Sequence, residues 1–146
     1  MKKLSLLTML LSICSFGQIQ VYESVKPTKI GNIQDYSTIQ KIDDIYTICF
    51  DDIKFTKIKS SKCFAFREVD NDFENLYNLI IKGFQEKKEQ TINLNLPNDL
   101  VDLRFVKNMG IISFQFITTA KNTQITGFSP YYTKKQIDKL FGKSAK

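Results

Sequence analysis

The sequence predicts an α+β fold: a mainly antiparallel sheet covered by one long helix, with a short C-terminal helix. Three observations carry this expectation. Apolar and polar residues alternate over much of residues 45–68 and 92–128, the period of half-buried strands. Residues 72–88 instead follow the 3.6-residue period of an amphipathic helix. The order, strands then helix then strands then a short helix, segregates the two periods as an α+β chain does.

The first residues speak of targeting. Lys2 and Lys3 precede an apolar run over residues 4–14, and Ser15 and Gly17 supply small side chains where a signal peptidase needs them. Residues 1–17 are therefore expected to be a cleavable signal peptide, with the cut before Gln18. The run is far short of the roughly 20 residues that span a bilayer, so no transmembrane segment is expected in the mature chain. A lipoprotein anchored through Cys14 is the alternative, because Leu11, Ser12, Ile13 and Cys14 loosely resemble a bacterial lipobox. Ile13 departs from it, standing where such a site has Gly or Ala. Either way the protein is expected to be exported, periplasmic or secreted.

Residues 18–40 are weakly patterned, with Pro27 and the pair Gly31, Asn32, and read as a flexible leader or an edge strand near residues 19–25. Residues 41–146 read as a single α+β domain. Within it, residues 45–50 place Tyr46, Ile48 and Phe50 on one strand face. Residues 53–59 read as a further strand despite Ile58 falling out of phase, and Ser60 and Ser61 as a turn. Residues 62–68 put Phe64 and Phe66 on one face and Cys63, Ala65 and Arg67 on the other.

The long helix is expected over residues 72–88, with Asp70, Asn71 and Asp72 supplying an N-cap and early negative charge. Phe73, Leu76, Tyr77, Ile80 and Phe84 share one face, flanked by Leu79 and Ile81. Gly83 lies at the edge of that stripe at a cost of about 1 kcal/mol relative to Ala, which the close approach of another backbone would explain. Period two then returns with Ile92, Leu94 and Leu96, with Val101, Leu103 and Phe105, and with Ile112, Phe114 and Phe116. Pro97 with Asn98, and Asn108 with Gly110, mark the turns between them. After a polar turn at residues 121–123 a short strand ends at Phe128. Thr133 and Gln136 form a T-x-x-Q capping box for a last helix that ends before Gly142.

Composition excludes more chemistry than it suggests. The chain has no histidine and no tryptophan, which removes Ser-His-Asp and Cys-His nucleophilic sites and most zinc sites. Loss of Lys2 and Lys3 on processing would lower the formal net charge of +6 by two, a mildly basic balance that does not argue for nucleic acid. Asp70, Asn71 and Asp72 open like a calcium loop, but Asn75 stands where glycine is required and Ile81 where the bidentate Glu belongs. Asp43–Asp44 and Asp51–Asp52 bracket one strand, which at about 3.3 Å per residue keeps Asp44 and Asp51 roughly 23 Å apart. Carboxylate-pair glycosidases need about 10 Å or less, so both pairs read as turn residues. No catalytic, metal or cofactor residue is assigned.

Two site expectations remain. Cys49 and Cys63 would stand about 10 Å apart if residues 53–59 formed a strand between theirs, and would face each other if those residues looped out. Thr133, Lys134 and Lys135 form a candidate anion site, because two ammonium groups oppose the dipole where free N–H groups begin a helix. The expected function is an exported, non-enzymatic binding or accessory protein of the cell envelope or extracellular space. Its partner would be a protein, a lipid or an anionic envelope component, with no nucleic acid and no cofactor. The alternative is a small secreted hydrolase using carboxylates or a Ser/Lys pair.

Overall fold

The computed structural model describes residues 25–55 and 57–143; the expected signal peptide, Cys14 and the leader up to residue 24 lie outside them. The elements run β1 (Thr28–Ile33), β2 (Ser37–Ile42), β3 (Ile45–Asp51), β4 (Ser61–Arg67), α1 (Asp72–Gln85), β5 (Gln90–Asn95), β6 (Asp99–Asn108), β7 (Ile111–Ala120), β8 (Thr126–Phe128) and α2 (Lys134–Leu140). The strands form two four-stranded antiparallel sheets, ordered β1-β2-β3-β4 and β5-β6-β7-β8, so the fold is α+β with two meanders in place of the single expected sheet. The helix is also shorter than the predicted 72–88. It has 14 residues and lies against both sheets instead of covering one.

The cause lies in which rings meet. Register places Ile39, Ile48 and Phe64 abreast on the inner face of the first sheet, as it does Leu103 and Phe116, and Phe105 and Phe114, on the second. The faces meet directly at Phe116, whose ring lies 5.4 Å from that of Phe64 and 6.3 Å from that of Phe50. Away from this contact α1 fills the space between them. Phe73 at its start stacks 4.2 Å from Tyr46 of β3, and Phe84 at its end packs edge-on to Phe105 of β6 at 5.7 Å. A helix so placed must be apolar over most of its circumference, which explains the wide stripe in its sequence.

Gly83 is part of the same arrangement. What lies nearest it is a side-chain ring: a Cβ there would overlap the ring of Phe105. Gly83→Ala should gain about 1 kcal/mol of helix propensity, but Phe105 is 1% exposed and wedged against Phe84 and Phe114. Overpacking of such a site costs about 1–3 kcal/mol. The substitution is therefore expected to lower stability by about 1 kcal/mol, read as a fall in urea midpoint at unchanged m-value. A rise would mean that the Phe105 ring can step aside.

Residues 28–40, the described end of the stretch read as weakly patterned, hold β1 and most of β2. β1 carries a bulge between Lys29 and Gly31, and a Cβ on Gly31 would overlap the carbonyl oxygens of Lys139 and Leu140. The end of α2 thus packs on bare β1 backbone, a contact that erases the alternation expected of a strand. The described residues among 53–59 form a loop and not a strand, and β3 and β4 are adjacent with Cys49 opposite Cys63. The two are joined in a disulfide with a Cα–Cα distance of 4.1 Å.

Local signals explain the remaining boundaries. Asp43, at φ 52°, and Asp44 make the two-residue connection between β2 and β3, and Met109–Gly110, with φ of 50° and 84°, make that between β6 and β7. α2 carries the full capping box of Thr133 and Gln136, and the Gly142 and Lys143 N–H groups close its end on the Lys139 and Asp138 carbonyls. α1 begins differently from expectation. Asn71 occupies the cap position in a left-handed conformation without a side-chain cap bond, and the Glu68 carboxylate accepts the Phe73 N–H instead.

Candidate apolar groove

Strands β4 and β5 are edge strands of different sheets, and α1, which connects them, lies behind the gap. The gap forms a groove of about 490 Å3. Phe64 and Phe66 line it from β4, Leu76 and Leu79 from α1, and Leu94 and Leu96 from β5 and the residue after it. Asp72, Asn75, Asn93 and Asn95 supply its polar parts. Leu79, Leu94 and Leu96 remain half-exposed although they pack against the core.

Asp72 is the single carboxylate of the lining, and neither serine nor lysine joins it. Concave surfaces lined by apolar side chains with a few polar groups are the usual form of small-molecule and apolar-segment sites. The sequence named Leu79 and Leu76 as parts of a wide stripe. It held no sign that Phe64, Phe66, Leu94 and Leu96 would face them.

A second depression, of about 300 Å3, is polar and contains Asp35, Asp51, Lys29 and Ser61. Asp51 accepts the Ser61 hydroxyl at 3.0 Å, but these residues are cross-strand partners at the end of the β3–β4 ladder, so the bond closes the strand pair. Asp44 is held at the other end of β3, paired with Arg67 at 2.8 Å. Asp52 is 3% exposed, and its Oδ1 accepts the backbone N–H groups of Lys54 and Phe128 at 3.0 and 3.2 Å, while Oδ2 has no partner among the described residues. Asp70 and Asn71 precede α1 in left-handed conformations, and no group of three or more His, Cys, Asp or Glu able to hold a metal occurs among the described residues.

At the start of α2 the capping box already uses the donors and acceptors of Thr133. Its hydroxyl accepts the Gln136 N–H at 3.3 Å, and its own N–H goes to Gln136 Oε1 at 2.8 Å. Lys134 pairs with Asp138 at 3.0 Å, which answers the unfavourable dipole from within the helix. Lys135 lies beside Gln136 and Lys139 at the surface. Nearby, the Tyr132 hydroxyl stands 2.6 Å from the Ser37 hydroxyl, and burial pushes its pKa up to about 12. Tyr132 is fully buried, so this pair ties the approach to α2 onto the first sheet and stays neutral at ordinary pH.

No family model, curated protein or solved structure matches the chain at a significant level.

Proposed function

We propose that the protein is an exported, non-enzymatic binding protein of the cell envelope or extracellular space, which holds an apolar partner group in the groove between β4, β5 and α1. The observation that carries this reading is the groove lining, in which six apolar side chains from three elements converge around four polar residues. The Cys49–Cys63 disulfide agrees with an oxidising compartment, where such bonds persist. No helix among the described residues is long and apolar enough to cross a membrane. In the polar depression, where Asp35, Asp51, Lys29 and Ser61 gather, Asp51 and Ser61 already satisfy each other, which gives the hydrolase alternative little support there.

Titration with the dye anilinonaphthalene sulfonate tests the reading. The folded protein should enhance the dye's emission, and Leu79→Glu, which places a charge among Leu76, Leu94 and Leu96, should weaken its affinity tenfold or more. Leu79 is half-exposed, so this variant keeps its fold. Dye binding that is equal in the wild type and in Leu79→Glu would remove the groove as the binding site.

A further inference from the structure

The β3–β4 loop carries a surface that the groove does not use. Ile53, Phe55 and Ile58 are 43%, 47% and 70% exposed. Lys54, Lys57 and Lys59 are interspersed with them, and residues 53–62 contain no Asp or Glu. None of these three lysines belongs to an ion pair among the described residues. The Lys54 ammonium lies 6.0 Å from the centre of the Phe55 ring, so charge and apolar surface are intimately mixed.

The loop is firmly held at its base. The disulfide joins its flanking strands, and the Asp52 N–H donates to the Ser60 carbonyl at 2.7 Å across its neck. Asp52 Oδ1 accepts the Lys54 and Phe128 N–H groups, and the Ile53 N–H donates to the Phe128 carbonyl at 2.9 Å, tying the loop to β8. The nearest acidic groups are engaged in this clamp: Asp52 is buried, and Asp51 holds Ser61. The base is thus anchored, and the residues exposed beyond it are cationic and apolar.

Apolar side chains bordered by ammonium groups are complementary to one surface in particular, the headgroup region of an anionic bilayer. There the rings and branched chains enter the acyl boundary while lysine stems reach back to the phosphates. We propose that the loop docks the protein on an anionic lipid surface, with Phe55 and Ile58 entering to headgroup depth and Lys54, Lys57 and Lys59 meeting lipid phosphates. Docking is interfacial and needs no spanning segment. It stands independently of what the groove binds.

The chain's lack of tryptophan supplies a direct readout. Phe55→Trp puts one indole on the loop of the full chain, and Met109→Trp puts one on the fully exposed tip of the β6–β7 hairpin as a control. With vesicles of phosphatidylglycerol and phosphatidylcholine, the Phe55→Trp emission should shift to the blue and be quenched by brominated acyl chains, and the Met109→Trp emission should not. At about fivefold per lysine, the triple change Lys54→Glu, Lys57→Glu, Lys59→Glu on the Phe55→Trp background should weaken this response by roughly a hundredfold or more. Pure phosphatidylcholine should give none at matched concentration. Ile58→Ser on the same background should also weaken it. An unshifted Phe55→Trp emission overturns the proposal, as does an equal shift on phosphatidylcholine or survival of the shift in the triple variant. A shift indifferent to Ile58→Ser overturns it too, because binding would then be that of a simple polycation.

Discussion

Replacing the disulfide by Cys49→Ala with Cys63→Ala is expected to lower the unfolding free energy by about 3 kcal/mol, the largest effect available from the surface of this protein. The bond closes a segment with a sequence separation of 14, and a loop of about that length restricts the unfolded chain by about 3 kcal/mol. Little in the native state opposes the gain. Cys49 and Cys63 are register partners on adjacent antiparallel strands, and the flanking pairs Ile48–Phe64 and Phe50–Lys62 keep that register without the bond. Fold and core should therefore survive, since Cys63 is exposed and Cys49 half-buried on the face turned away from Phe64. Urea unfolding of the oxidised protein and the double variant measures the difference; a loss below about 1 kcal/mol would mean that the unfolded chain already keeps this hairpin together.

What was legible in the sequence is what short-range chemistry decides. Tyr46, Ile48 and Phe50, and again Phe114 and Phe116, are seen as strand faces because a two-residue period has one meaning when a core covers one side. Thr133 with Gln136 fixes the start of α2 because both partners of each bond lie within one turn. The failures each needed something that period and composition do not carry. Gly31 reads as part of a weakly patterned leader until Lys139 and Leu140 bring their carbonyls against it. Glu68 does not announce itself as the cap of α1, since its role depends on the left-handed turn at Asp70 and Asn71. Ile53 and Phe55 counted toward a strand, with Ile58 out of phase, because hydrophobicity is visible in a sequence and exposure is not. The groove was hidden for the same reason. Leu79 could be marked as part of a stripe, but whether β4 and β5 would close over it or leave it open depended on the division of the strands into two sheets.

That division makes Phe116 the residue on which the tertiary structure most depends, and Phe116→Ala is expected to cost about 3–5 kcal/mol. Its ring is fully buried and meets rings of both sheets: Phe50 and Phe64 of the first sheet, Phe114 of its own strand at 4.6 Å, and Tyr132 before α2 at 6.2 Å. The upper part of the range is expected because the walls of the resulting cavity cannot close on it. Phe50 and Phe64 are fixed by the β3–β4 register, Tyr132 by its bond to Ser37, and Phe114 by Phe105 and Phe84. Loss of the ring removes area and leaves the void, and both contributions add. Phe116→Leu, which retains most of the volume, should cost under about 1.5 kcal/mol. For a domain whose whole stability is about 5–15 kcal/mol, the alanine variant should be near its limit at physiological temperature while the leucine variant unfolds much like the wild type. Calorimetry and urea unfolding of the three proteins test this. If Phe116→Ala costs no more than Phe116→Leu, the two sheets are joined chiefly through α1 and not through the ring contact between them.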